Sequence, residues 1–179
     1  SDVQLGLQWQ WQGTPSPYWS FLDSAAGSLR LYSVPVPEGY RNLSDCANLL
    51  LQKFPADDFT VTAKVSFTPN PQLEGRSETA GLVVMGLDYA ALVLEDTEKG
   101  VVLSFRVCND ALEGGHEVLC GADGEALLES RALPLPYSDR YMSTTVPPVA
   151  PLAYTETEVW LRVTVKSVPC EGNVNDAIC

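Results

Sequence analysis

The side chains best suited to chemistry here are four tryptophans and two groups of carboxylates. Trp9, Trp11 and Trp19 lie close together near the start, with Tyr18 beside Trp19, and Trp160 stands late in the chain. An indole face stacks on the C–H face of a sugar ring, while the amides of Gln8, Gln10 and Gln12 donate to and accept from hydroxyls. Tyr137 and Tyr141 are further aromatic platforms of the same kind. Core packing is the competing reading for Trp9 and Trp11, because they share the parity of Leu5 and Leu7. Trp160 falls on the polar parity of its segment, either as a platform or packed under a loop.

Paired carboxylates are the tools of glycoside hydrolysis. The densest acidic group is Glu95-Asp96-Thr97-Glu98, and Asp57 and Asp58 follow Pro55. Neither group has the alternate spacing that aims two side chains into one cleft, so both read as solvated turn charges. The single histidine, His116, follows the Gly114-Gly115 turn and has no Gly-x-Ser-x-Gly elbow to serve. No catalytic residue is assigned on this basis. No phosphate loop or His-Glu-x-x-His helix occurs, and the cysteines form no Cys-x-x-Cys pair. Asp88 or Asp96 offers oxygens to a structural calcium, but no ligand spacing supports one, so no cofactor and no metal site are expected.

Five cysteines are present. Cys108 and Cys120 are symmetric about Gly114, and Cys170 and Cys179 bracket a polar loop. Residues facing each other across an antiparallel pair satisfy the separation a disulfide needs, so both pairs are candidate bridges, with Cys46 left single. Five free thiols is the other outcome. Asn42-Leu43-Ser44 forms a glycosylation sequon, relevant in a eukaryotic source.

The elements that must position these groups are strands. Leu5, Leu7, Trp9 and Trp11 alternate with Gly6, Gln8, Gln10 and Gln12. The same period of two runs from Phe59 to Thr68 and from Val159 to Lys166. Further strands are expected at 28–32, 49–53, 80–85, 89–94, 101–108, 117–120 and 126–131, with turns at Gly86-Leu87-Asp88 and Glu98-Lys99-Gly100. About ten strands without an amphipathic helix make an all-β, two-sheet antiparallel sandwich or jelly roll. The segment 133–156 holds Pro134, Pro136, Pro147, Pro148 and Pro151 and reads as a long loop, either disordered or binding.

The chain of 179 residues suits one domain. Its 11 basic residues against 23 acidic ones give a net charge of −12, which disfavours nucleic acid and anionic membrane as partners. No apolar run reaches the roughly 20 residues of a spanning helix. An uncharged glycan fits this balance.

Several segments, in order, resemble a known family. These are Leu5-Gly6-Leu7-Gln8-Trp9-Gln10-Trp11, Gly39-Tyr40-Arg41-Asn42-Leu43, and Asn48-Leu49-Leu50-Leu51-Gln52-Lys53-Phe54-Pro55. Glu78-Thr79-Ala80-Gly81-Leu82-Val83-Val84-Met85-Gly86, Asp88-Tyr89-Ala90 and Val159-Trp160-Leu161-Arg162-Val163 extend the likeness over most of the chain. Together they resemble the β-sandwich domain that follows the catalytic propeller of family-43 glycoside hydrolases, the xylosidase, arabinofuranosidase and xylanase-like enzymes. The resemblance implies a concanavalin-like sandwich from a secreted or periplasmic parent that degrades xylan or arabinoxylan. It places the catalytic carboxylates on a five-bladed propeller outside this chain. The domain would pack on that propeller and shape its substrate cleft. Such domains continue with further strands where this chain stops at Cys179, so 1–179 is expected to be one sandwich domain, incomplete at its C-terminus. Two alternatives stand beside this reading: a free-standing carbohydrate-binding, lectin-like module, and an independent concanavalin-like glycosidase.

Overall fold

The computed structural model describes residues 5–70, 72, 77–97, 100–120, 131–135, 140–144 and 158–167. Chain contacts define two compact units, Ser1–Phe54 and Pro55–Cys179.

The first unit holds two short antiparallel pairs. Strand β1 (Gln10–Trp11) pairs with β4 (Leu50–Leu51), opposing Gln10 to Leu51 and Trp11 to Leu50. Strands β2 (Ser20–Asp23) and β3 (Ser28–Leu31) form a hairpin. Its turn is set by Asp23, whose Oδ1 accepts from the amides of Ala25 and Ala26 at 3.1 and 2.9 Å, and by Gly27 at φ +63°. The long first strand expected from the Leu5–Gln12 alternation shrinks to β1. The Trp9 amide bonds the Gly6 carbonyl at 3.0 Å, which turns the chain and leaves Leu7 99 % exposed. The parity argument that grouped Trp9 and Trp11 with Leu5 and Leu7 as one core face therefore fails at that turn.

A 3-10 turn at Leu43–Asp45 precedes β4. Asn42 caps it: its Oδ1 accepts from the Ser44 amide at 2.9 Å and from the Ser44 hydroxyl at 2.6 Å. Asn42 is fully buried. The sequon asparagine is thus a structural cap, with its amide away from solvent. Arg41 clamps the same turn, its Nη2 lying 2.7 Å from Asp45 Oδ1.

The second unit contains two four-stranded antiparallel sheets. One runs β6 (Thr79–Met85), β7 (Tyr89–Thr97), β8 (Gly100–Cys108), β9 (Glu117–Cys120) in sequence order. The other has the order β10 (Arg131–Leu135), β11 (Arg140–Thr144), β12 (Val159–Ser167), β5 (Phe59–Val65). The Gly86-Leu87-Asp88 turn closes β6 onto β7, with Met85 opposite Tyr89. On the first sheet, Val84, Ala90, Leu94, Phe105 and Val107 share a buried apolar face; on the second, Leu161, Val163 and Val165 do the same. Alternation places these sets on one side of each strand, while Tyr89, Ala91, Val93 and Cys108 are buried on the other face of the first sheet, so its central strands are covered on both sides.

The proline-rich segment departs from expectation. It contributes β11 and the end of β10 rather than loop throughout. Pro134 is accommodated because, among the described residues, β10 is the edge strand, where a missing amide donor leaves no ladder bond unmade on the outer side. Residues 136–139 and 145–156 lie outside the described residues, as do 126–130 of the expected strand at 126–131. Among the described residues no helix is long and apolar enough to cross a membrane.

Candidate functional site

The first aromatic surface is built on the β2–β3 hairpin. The Tyr32 amide donates to the Trp19 carbonyl at 2.9 Å, extending the ladder one pair beyond Ser20–Leu31. Alternation then puts Trp19, Phe21, Arg30 and Tyr32 on one face of the hairpin. Phe21 is 56 % exposed and Tyr32 is 47 % exposed. The Trp11 ring meets the Trp19 ring edge to face, with centroids 5.4 Å apart and planes at 65°. Trp9, Trp11 and Trp19 are all half-buried, neither core residues nor free platforms. The structure brings Trp11 and Trp19 together and adds Phe21 and Tyr32, which the sequence reading did not single out. The period-two spacing of Trp19 and Phe21, followed by Asp23 and Gly27, is the signal that could have found them.

Among the described residues, six of the eleven large exposed apolar ones, Leu7, Tyr18, Phe21, Leu31, Tyr32 and Val36, fall in this short stretch. Scattered exposed apolar residues are ordinary, but a concentration of this kind marks a surface meant to be covered. The nearby amides serve the fold. Gln12 Nε2 donates to the carbonyls of Ser44 at 2.7 Å and Leu43 at 3.3 Å, so it is spent on the 3-10 turn rather than offered to a sugar.

Trp160 lies in the other unit, on the outer face of β12, and is 68 % exposed. Tyr141 is the backbone partner of Lys166, and Tyr137 lies outside the described residues.

A polar cluster that the sequence reading missed sits on the other face of β7, β8 and β9, beside the buried Tyr89, Ala91, Val93 and Cys108. Arg106 Nη2 is 2.7 Å from Glu95 Oε2, and Arg106 Nη1 is 3.2 Å from Glu117 Oε2. The Tyr89 hydroxyl donates to Glu117 Oε1 at 2.5 Å. Burial lowers the Arg106 pKa, but the hydrogen bonds and negative charges of Glu95 and Glu117 outweigh it and raise the pKa on balance. Glu95 was read as a turn residue. It is a strand residue because β7 continues to Thr97, which pairs with Gly100. A glycosidase holds the scissile sugar between two carboxylates, whereas here Arg106 occupies the space between Glu95 and Glu117. The geometry is that of an ion triad tying three strands together.

The expected Cys108–Cys120 bridge is not formed. Cys108 opposes Glu117, and Cys120 opposes Phe105, a stagger of three residues or about 10 Å along the strands. The connection is asymmetric because Asp110 at φ +52° and a 3-10 turn at Ala111–Glu113 lie on one side of Gly114. Cys108 is a free, fully buried thiol that donates to the Gly115 carbonyl at 3.3 Å, and Cys46 is also buried. Cys170 and Cys179 lie outside the described residues.

Asp88 accepts from the Asp110 amide at 2.7 Å, and Asp96 is paired along β7. Among the described residues no three His, Cys, Asp or Glu side chains converge on a metal position. His116 is exposed, and Asp58 bonds the amide and hydroxyl of Ser167 at 2.7 and 2.8 Å.

Fold and surfaces together define an all-β, concanavalin-like sandwich module with aromatic side chains on its exterior. A family model described as the β-xylosidase C-terminal concanavalin A-like domain matches residues 1–124, and the chain belongs to that family, an accessory C-terminal domain of family-43 glycoside hydrolases. The match covers the first unit and β5 to β9; Val159-Trp160-Leu161-Arg162-Val163 lies beyond it. No curated protein and no solved structure matches the chain.

Proposed function

We infer that this domain packs on the propeller-type catalytic domain of a secreted or periplasmic glycoside hydrolase and shapes a cleft that accepts xylan or arabinoxylan. The observation that carries this reading is the crowding of exposed apolar side chains on residues 7–36, with Phe21 and Tyr32 on one face of the β2–β3 hairpin. An accessory domain needs such a surface, because burying it against a neighbour supplies roughly 25 cal/mol per Å² of apolar area. The β-xylosidase description of the family supports a xylose polymer as substrate. Such a polymer is met outside the cytoplasm, which supports the location.

The test is association of the 179-residue chain with a separately produced family-43 catalytic domain, followed by sedimentation. The expected result is a one-to-one complex that Phe21→Ser combined with Tyr32→Ser weakens at least tenfold, an estimate from the loss of two central aromatic anchors. A complex untouched by that double substitution would place the interface elsewhere. Absence of any complex would remove the docking reading.

A further inference from the structure

The outer face of the β5–β12 pair differs from the rest of this acidic chain. Trp160, Arg162, Thr164 and Lys166 alternate along β12, and Lys64, Thr62 and Thr60 oppose the first three of them on β5. Trp160 is 68 % exposed, an unusual state for an indole on a regular strand. The side chains around it are ordered. Arg162 Nε donates to Thr62 Oγ1 at 3.1 Å, and the Thr60 and Thr164 hydroxyls lie 3.1 Å apart. Lys64 Nζ is 2.6 Å from Glu158 Oε2.

Charge is the decisive feature. The chain carries a net −12, yet this face holds Lys64, Arg162 and Lys166, with Glu158 beside Lys64 and Asp58, bonded to Ser167, near Lys166 as acidic neighbours. Arg162 and Lys166 make no ion pair among the described residues. At physiological salt the screening length is about 8 Å, so a ligand on this face senses the charges within that reach rather than the net charge of the whole chain. Side chains two residues apart on a strand stand roughly 7 Å apart, which sets Arg162 beside a ring stacked on Trp160.

We propose that this face is a glycan platform selective for acidic sugars: Trp160 stacks on a pyranose ring while Arg162 and Lys166 pair with the carboxylate of a uronic acid substituent. The proposal deepens the carbohydrate-enzyme reading above and rests on it. Stacking supplies the apolar contact, Arg162 supplies a planar fork matched to a carboxylate, and the threonine hydroxyls line the strip. Trp160 and its neighbours on β12 lie beyond the residues matched by the family model, whereas Thr60, Thr62 and Lys64 on β5 lie within them.

Calorimetry of the 179-residue chain with three probes tests it: neutral xylo-oligosaccharides, the same oligosaccharides carrying a glucuronic acid branch, and oligoglutamate. The acidic oligosaccharide is expected to bind about tenfold more tightly than the neutral one at low salt, with the preference shrinking as salt rises. Trp160→Ala is expected to weaken both sugars about tenfold, with Trp160→Phe retaining most of the binding. Arg162→Gln with Lys166→Gln is expected to abolish the preference and leave neutral binding in place. Circular dichroism confirms that each variant is folded, and all three sites are on the surface. Equal affinity for both sugars, no sugar binding, indifference to Trp160→Ala, or equal binding of oligoglutamate would each overturn the proposal. The sedimentation experiment is independent. A chain that docks on its catalytic domain but ignores sugars sinks the platform alone, and a chain that binds acidic sugars but never docks sinks the docking reading alone.

Discussion

Glu95 and Arg106 meet with their Oε2 and Nη2 atoms 2.7 Å apart, each side chain about one-fifth exposed. Removing the cation would leave Glu95 and Glu117 facing each other with little water to screen them. Arg106→Met is therefore expected to cost about 2–3 kcal/mol in urea unfolding, below the full cost of breaking a deeply buried pair because the triad is partly solvated. Replacing all three charges together (Glu95→Gln, Arg106→Met, Glu117→Gln) should recover most of that loss. A single Arg106→Met variant as stable as the parent would show the triad to be energetically neutral.

Gly81 allows β6 and β7 to approach. A Cβ built there would overlap the Leu92 carbonyl oxygen and stand 2.7 Å from Val93 Cα, both backbone atoms that cannot rotate away. Gly81→Ala should lower stability by about 2–3 kcal/mol. Gly100→Ala is the contrast: it meets nothing within 4 Å but sits at φ +104°, so its cost, about 1–3 kcal/mol, comes from the backbone alone. Thermal melts that show no loss for Gly81→Ala would mean the strands separate at no cost.

The Arg41 hydrogen bond holds the Asp45 carboxyl at about 2, below its ordinary 3.8. The folded value lies below the unfolded one, so this contribution is present above about pH 4 and disappears as pH falls through about 2. The difference in urea midpoint between the parent chain and Asp45→Asn should therefore narrow across that window. A difference that stays constant from pH 5 to pH 2 would contradict the clamp.

Cys46 and Cys108 are buried thiols. Burial pushes the Cys108 thiol up, the Tyr89 hydroxyl opposes it, and the negative charges of Glu117, Asp88 and Asp110 add to the rise. Neither cysteine should react with a maleimide in the native chain, and both should react in urea. Peptide mapping that finds native labelling of Cys108 would show the β8–β9 connection to be open.

Much of the fold was legible because alternation reports a half-buried strand directly. Phe59 to Val65 and Val159 to Ser167 follow that pattern, the first ending three residues short of Thr68 and the second running one residue past Lys166. What escaped depends on long-range pairing. Leu5 to Gln12 alternates as well as any strand, yet the turn at Gly6 breaks it, and alternation carries no information about a turn. Pro134 looked disqualifying until β10 proved to be an edge. Glu95 and Glu117 are twenty-two positions apart in sequence, and only the register around Arg106 makes them neighbours. Of the candidate binding residues, Trp11 and Trp19 converge in the first unit, Trp160 is exposed on β12 of the second, and the side chains of Tyr137 and Tyr141 lie outside the described structure.

The burial of Asn42 bears on how the protein can be made. An oligosaccharide transferred to a nascent chain would reach the Asn42 sequon before the Leu43–Asp45 turn closes around it. The folded cap has no room for that addition, so a modified chain could not complete its first unit. A host with an asparagine-glycosylation pathway would then divide its output between folded, unmodified protein and a glycosylated fraction retained by quality control. Asn42 is in this sense a checkpoint on the choice of expression host, and a host lacking that pathway bypasses it.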